Sequence, residues 1–161
     1  MKSIRLISLF LVLVVLGCSL IACDTDNWED IELPERPFYD MTFSFQIKDD
    51  KGSNIIDAVN YNYKGHEDPT ILNVITDYIE IDFGSKCTID EKNNILVSIG
   101  NVKANAKNGD YWAFMEGTGH NVQAILKDEK LQEKNFVNGK MSEYLLENGD
   151  SFTIVLVRGK N

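Results

Sequence analysis

Tyr111, Trp112 and Phe114 stand together in the stretch DYWAFMEGTGHN, residues 110–121, with Glu116, His120 and Asn121 just behind them. Three rings on one short strand offer broad apolar surface. A carboxylate, an imidazole and a carboxamide at its end offer polar contacts. Stacking supplies affinity and loop polar groups supply orientation, so the set suits a large, flat ligand. Strand alternation puts Trp112 and Phe114 on one side and Tyr111, Ala113 and Met115 on the other. Both sets are apolar. One must therefore pack the core, and the other must be covered by residues 119–138, by a partner or by a ligand.

Other chemistry finds less support. His66 in KGHEDP and His120 in GTGHN are the two histidines, and a structural zinc site takes about four ligands at spacings this chain does not show. No serine sits in a nucleophile elbow, and no glycine-rich loop opens a helix. Cys87 falls in an expected strand, where an inert, buried thiol is the ordinary state. Carboxylates are plentiful, but a glycosidase pair is defined by a distance, not by a sequence. The expectation is a protein with no catalytic step, no metal site and no cofactor.

The charge balance narrows the partners. Asp and Glu number 25 against 16 Lys and Arg, a formal net charge of -9. Such a surface repels nucleic-acid phosphates and anionic headgroups, so a nucleic-acid partner is not expected.

The first residues, MKSIRLISLFLVLVVLGCSLIAC, have the layout of a secretory signal: Lys2 and Arg5 form a positive start, and an apolar run follows. Leu6 to Ala22 reaches the lower limit of about 17 residues for a membrane span. Gly17, Cys18 and Ser19 weaken its second half, and no basic stop-transfer cluster follows. Leu20-Ile21-Ala22-Cys23 resembles the bacterial lipobox; Val15-Leu16-Gly17-Cys18 resembles it less, with Leu where a small residue is commoner. The resemblance implies cleavage before Cys23, diacylglycerol on its thiol and an acyl chain such as palmitate on the new amino terminus. Each buried acyl methylene contributes about 0.8 kcal/mol, and more than one chain makes a stable anchor. Removing residues 1–22 would delete two positive charges and no negative one. Cys87 would then be the one thiol left beside the acylated Cys23, with no partner for an intramolecular disulfide.

Residues 23–39 read as a solvated tether. Asp24, Asp26, Glu29 and Asp30 keep it in water, and Pro34 and Pro37 stiffen it. The acidic patch behind the cysteine is similar to the surface-export signal of lipoproteins from some gut anaerobes. It also reads as a plain acidic spacer.

Residues 40–161 suffice for one domain. MTFSFQIK alternates cleanly, with Met41, Phe43, Phe45 and Ile47 on one face, and DDKGSN turns the chain into a returning strand at 55–63. In EDPTILNVITDYIEI, Asp68 suits a helix cap and Pro69 a first helical position. Ile71, Leu72, Val74, Ile75, Tyr78 and Ile79 then form one apolar stripe. A second hairpin follows around 91–93, then the aromatic strand 110–117. NVQAIL reads as a short strand and 127–138 as a charged loop. Asn148-Gly149 turns into a strong last strand. Hairpin, helix and further strands make an α+β domain, a β-grasp-like sheet with one main crossing helix.

DPTILNVI, ILVSIGNV, GDYWAFMEG and MSEYLLENGDSFTIVLV together resemble the transcobalamin-like C-terminal domain of bacterial surface proteins. The matching positions are Thr70, Tyr111, Trp112, Tyr144, Gly149 and Asp150 over about residues 41–158. The resemblance implies a β-grasp-like fold and a corrinoid ligand such as cobalamin. Tyr111, Trp112 and Phe114 are then the platform, with Glu116, His120, Asn121 and Tyr144 around it. Vertebrate cobalamin carriers add a large helical domain that this chain lacks, and residues 118–138 are longer than the usual connection. Two functions follow. One is a lipid-anchored, surface-exposed outer-membrane lipoprotein that captures a corrinoid for an outer-membrane transporter. The other is an adhesion or assembly module that binds protein or glycan.

Overall fold

The alternation of MTFSFQIK becomes strand β1 (Tyr39–Lys48), with Phe43, Phe45 and Ile47 buried. It pairs antiparallel with β2 (Asn54–Gly65), Met41 opposite Tyr63 and Phe43 opposite Tyr61. In the turn between them the Asp49 carboxylate accepts the N–H groups of Lys51 and Ser53 at 2.9 and 2.7 Å. Gly52 takes a φ of 78°, which a Cβ would oppose. The computed structural model describes residues 35–159; the leader, Cys23 and most of the tether lie outside them.

Helix α1 (Ile71–Ile81) follows, burying Ile71, Leu72, Val74, Ile75 and Ile79. Its cap is Thr70, not Asp68: the Thr70 hydroxyl accepts from Asn73 N–H at 3.2 Å. Asp68 is engaged elsewhere, accepting the Tyr39 hydroxyl at 2.9 Å, and the Pro69 carbonyl accepts Leu146 N–H at 2.9 Å. The next two N–H groups of a helix have no partner inside it. Here Ile71 N–H donates to the Tyr144 carbonyl and Leu72 N–H to the Met141 carbonyl, both at 3.1 Å.

A small antiparallel sheet comes next, β3 (Cys87–Asp90), β4 (Ile95–Ile99) and β5 (Val102–Lys103). Strand β6 (Tyr111–Glu116) and strand β7 (Ser151–Val157) complete the main sheet in the order β2-β1-β7-β6. β7 runs parallel to β1 and antiparallel to β6. A hairpin, a crossing helix and a returning parallel strand give the β-grasp-like α+β arrangement expected.

The far face of the sheet corrects two expectations. NVQAIL is helix α2 (Val122–Lys127), and the charged stretch after it holds helix α3 (Glu129–Asn135). Asn121 caps the first by accepting Ala124 N–H at 3.2 Å, and Asp128 caps the second by accepting Lys130 N–H at 2.9 Å. Val122 and Ile125, three apart, pack with Ala113, Met115, Val155 and Val157 as a second core. The apolar back of β6 is thus covered by the chain's own 119–138 segment.

Asp110 locks the other end of the sheet. Buried, it accepts from the Arg158 guanidinium at 2.7 Å, from Gly159 N–H at 3.0 Å and from Asn105 N–H at 3.1 Å. Those bonds, the Arg158 one foremost, hold its carboxyl below the usual range. No helix among the described residues is long and apolar enough to cross a membrane.

Ile75 has no exposed surface, whereas Ile81 on the same helix is 71% exposed. Ile75→Ala is expected to cost about 2–5 kcal/mol and Ile81→Ala within about 0.5 kcal/mol. Urea unfolding at constant slope measures both.

Candidate functional site

Where β6 ends and β7 begins, the last ladder bond runs from Gly117 N–H to the Ser151 carbonyl. Beyond it the chain leaves a cleft of about 430 Å³. Ile71, Phe114 and Phe152 form its deep lining, all of them buried. Glu116, Tyr144, Leu145, Glu147 and Asp150 are also in its lining.

Tyr144 is fixed at three points. Its carbonyl accepts Ile71 N–H, its ring meets Phe114 edge-on at 5.2 Å, and its hydroxyl donates to Glu116 Oε1 at 2.7 Å. The Glu116 bond, then burial, then the charges of Glu116, Asp150 and Glu147 push its hydroxyl up to about 12. A phenol so held keeps its proton and works as a donor or an apolar face.

The turn behind Tyr144 is equally determined. Gly149 N–H donates to the Thr42 carbonyl, and Thr42 N–H donates to Asn148 Oδ1, both at 2.8 Å. Asp150 Oδ2 accepts Glu147 N–H at 2.7 Å. The backbone of Leu145 forms a bridge with Thr70, yet its side chain is 61% exposed on the rim. A mainly polar cleft rimmed by carboxylates suits a ligand that brings N–H donors or positive charge, because an ionised carboxylate only accepts. Among the described residues no group of three or more His, Cys, Asp or Glu is placed to hold a metal ion.

Of the residues singled out by sequence, Phe114, Glu116 and Tyr144 meet at this cleft. The other four do structural work or stand apart. Trp112 is buried, and its indole N–H donates to the Val97 carbonyl at 3.2 Å, fastening β6 to β4. His120 Nε2 lies 2.6 Å from the Glu116 carbonyl, and Asn121 is a helix cap. Tyr111 is 47% exposed on the opposite face. The expected three-ring platform is therefore divided: two rings belong to the core, and a ligand could stack on them only by opening it. Tyr111 lies between two depressions, one of about 190 Å³ beside Ile95 and one of about 370 Å³ beside Gln132, Glu133 and Asn138.

Leu145 and Glu147 were not singled out, and Asp150 only as a match of the family pattern. The available signal is a leucine pair ahead of the Glu-Asn-Gly-Asp turn, a turn read for its geometry and its family match.

No protein-family profile matches the chain, and no curated protein matches it. Several solved structures are similar to it. One is haptocorrin in complex with Cbi, at a TM-score of 0.47 and 11% identity over 80% of this chain and 27% of that one. Another is a proposed metal-binding protein from Ruminococcus gnavus ATCC 29149, at 0.46 and 10% over 74% of this chain and 99% of that one. The chain thus spans about a quarter of the haptocorrin length. At these scores the likeness says nothing of ligand or site.

The hydroxyls of Tyr61, Tyr39 and Tyr63 are also raised. Tyrosinate absorbance during alkaline titration is therefore read as the difference between the wild type and Tyr144→Phe. That difference should show a group at about 12, which Glu116→Gln returns towards 10.0. The folded value is raised, so the stability it contributes is complete below pH 10 and is lost as pH rises towards 12. A difference that titrates near the ordinary value would contradict the Tyr144–Glu116 bond.

Proposed function

We propose that this chain is a non-catalytic binding protein of the cell envelope, held by lipid at Cys23, that presents its cleft to a corrinoid such as cobalamin. One observation carries the reading: Glu116 and Tyr144, both expected at the site from sequence, meet at one concave site that the buried Phe114 also lines. Its volume lies within the range of about 300–1,000 Å³ common for small-ligand sites. A corrinoid is larger than such a cleft, so the site grips an edge of the ring and leaves the rest to a second protein. An outer-membrane transporter is the partner of that kind. The amide arms of the corrin supply N–H donors for Glu116, Glu147 and Asp150. Tyr144 and Leu145 meet its apolar rim.

The binding reading is preferred to a catalytic one because the phenol at the centre is tied to a carboxylate and pushed up to about 12. That is far from the operating range of a general acid or base. The outer-membrane, surface-exposed location rests on the leader and its acidic tether.

Tyr111 favours a second reading, the adhesion or assembly module. Its ring is half exposed, with Gln132, Glu133 and Asn138 around one side. A flat aromatic face ringed by amides and carboxylates is chemistry that suits a sugar.

Calorimetric titration of cyanocobalamin into protein beginning at Asp24 separates the two. Saturable micromolar binding is expected, weakened about tenfold, or about 1.4 kcal/mol, by Tyr144→Ala and by Leu145→Asp. Tyr111→Ala should leave it unchanged. Absence of heat at high micromolar ligand removes the corrinoid, and a saccharide panel scored against Tyr111→Ala then tests the second reading.

The anchor has its own measurement. Cys23→Ser should move the protein from the membrane pellet to the soluble fraction and abolish the acyl mass on the amino-terminal peptide. An unchanged pellet would sink the lipid assignment.

A further inference from the structure

The chain contains three Asn-Gly pairs, Asn108-Gly109, Asn138-Gly139 and Asn148-Gly149. In such a pair the glycine amide nitrogen can attack the asparagine side-chain carbonyl, because no Cβ on the glycine blocks the approach. The reaction needs that N–H free, the carboxamide free to turn, and a backbone able to bring the two together. Sequence makes the three pairs equal. The fold does not.

Asn148 fails each requirement. Its Oδ1 accepts Thr42 N–H, and Gly149 N–H donates to the Thr42 carbonyl, both at 2.8 Å. Asn108 is held in a single 3-10 turn, Ala106–Asn108, where Gly109 N–H donates to the Ala106 carbonyl at 3.1 Å. Its carbonyl also lies hard against Gly159, where an added Cβ would come within 1.8 Å. Asn138 and Gly139 are both exposed. Among the described residues, neither the Asn138 carboxamide nor Gly139 N–H has a recorded hydrogen bond. Gly139 takes a φ of 145° with nothing within 4 Å of where a Cβ would stand.

We propose that Asn138 is a self-modification site, at which the chain deamidates itself using water as the only co-reactant. The Gly139 nitrogen loses its proton and bonds to Asn138 Cγ. The bond from Cγ to the side-chain nitrogen breaks, and that nitrogen leaves with the proton as ammonia. Water then opens the cyclic imide at either carbonyl, giving aspartate or isoaspartate with no change of oxidation state.

The position gives the change a structural consequence. A carboxylate at 138 adds charge to the depression that Tyr111 shares with Glu129 and Glu133. The isoaspartate form adds a methylene to the backbone two residues before Lys140. The Lys140 carbonyl accepts the N–H groups of Glu143 and Tyr144, and the Met141 carbonyl caps Leu72. The slow chemistry at 138 therefore feeds into the segment that holds both the start of α1 and the cleft residue Tyr144.

The test is peptide mapping by mass spectrometry of the full-length protein aged at mildly alkaline pH, with a parallel sample in denaturant. In the folded sample the amide-to-acid mass gain should accumulate at 138 several-fold faster than at 108 or 148. In denaturant the three rates should converge. Gly139→Ala should slow position 138 several-fold and leave the other two unchanged. Equal rates at the three pairs in the folded protein would overturn the proposal. So would the same disparity in denaturant, which would assign it to neighbouring residues instead of the fold.

Discussion

Strand β7 lies between β1, to which it is parallel, and β6, to which it is antiparallel, and every residue from Phe152 to Val157 is buried. A parallel pair cannot be closed by a tight turn, so the chain must leave β1, travel and return. Buried strands of this kind must also be covered on both faces. Phe152, Ile154 and Leu156 pack in the cluster with α1, and Val155 and Val157 pack in the cluster with α2 and α3. Thr153 is the one polar residue in that run, and it is fully satisfied. Its hydroxyl accepts Gln46 Nε2 at 3.0 Å and donates to the Gly117 carbonyl at 2.8 Å. The helices, the small sheet and β6 all follow from bringing β7 home beside β1.

That dependence explains which parts of the fold were legible. β1 alternates and α1 carries a helical stripe, each long enough to separate strand from helix, and β7 is a nearly continuous apolar run of strand length bounded by a turn. The hairpin at 91–93 and the turn at Asn148-Gly149 announce themselves by residue type. Helices α2 and α3 run only six and seven residues, too short for a period to show, and in isolation helices of that length are marginal. They exist because the back of β6 and β7 needs a cover, a requirement set by residues far away in sequence. The helix cap moved from Asp68 to Thr70 for a similar reason: Tyr39, 29 residues earlier, takes the Asp68 carboxylate.

The candidate site was legible in the same partial way. Alternation sorted Trp112 and Phe114 from Tyr111 correctly, but alternation does not say which face is core. That is decided by β4, where Val97 offers the carbonyl that fixes Trp112, and by α1. Glu116 was nominated as a strand-end carboxylate, and Tyr144 came only through the family pattern. No local rule links residues 28 apart. Their bond exists because the 140–146 segment docks on the first turn of α1, and the same docking sets Tyr144 beside Phe114.

The cleft is a by-product of that docking, and this is an argument for where function can reside. Ile71, Phe114 and Phe152 would be apolar in any version of this fold, because the core requires them. Tyr144 is needed at its carbonyl, and Gly149 is needed to reach Thr42. Leu145 is different. Its backbone is held by the bridge to Thr70, a contact any residue can make, while its side chain projects into water with 61% exposed. One exposed leucine on a flat surface carries no message. Here it lines a concave, mainly polar site together with Glu116 and the immobilised phenol of Tyr144, at a position where the fold sets no demand on side-chain type. Under the proposed binding function, the apolar choice at that position is explained by a ligand that buries it.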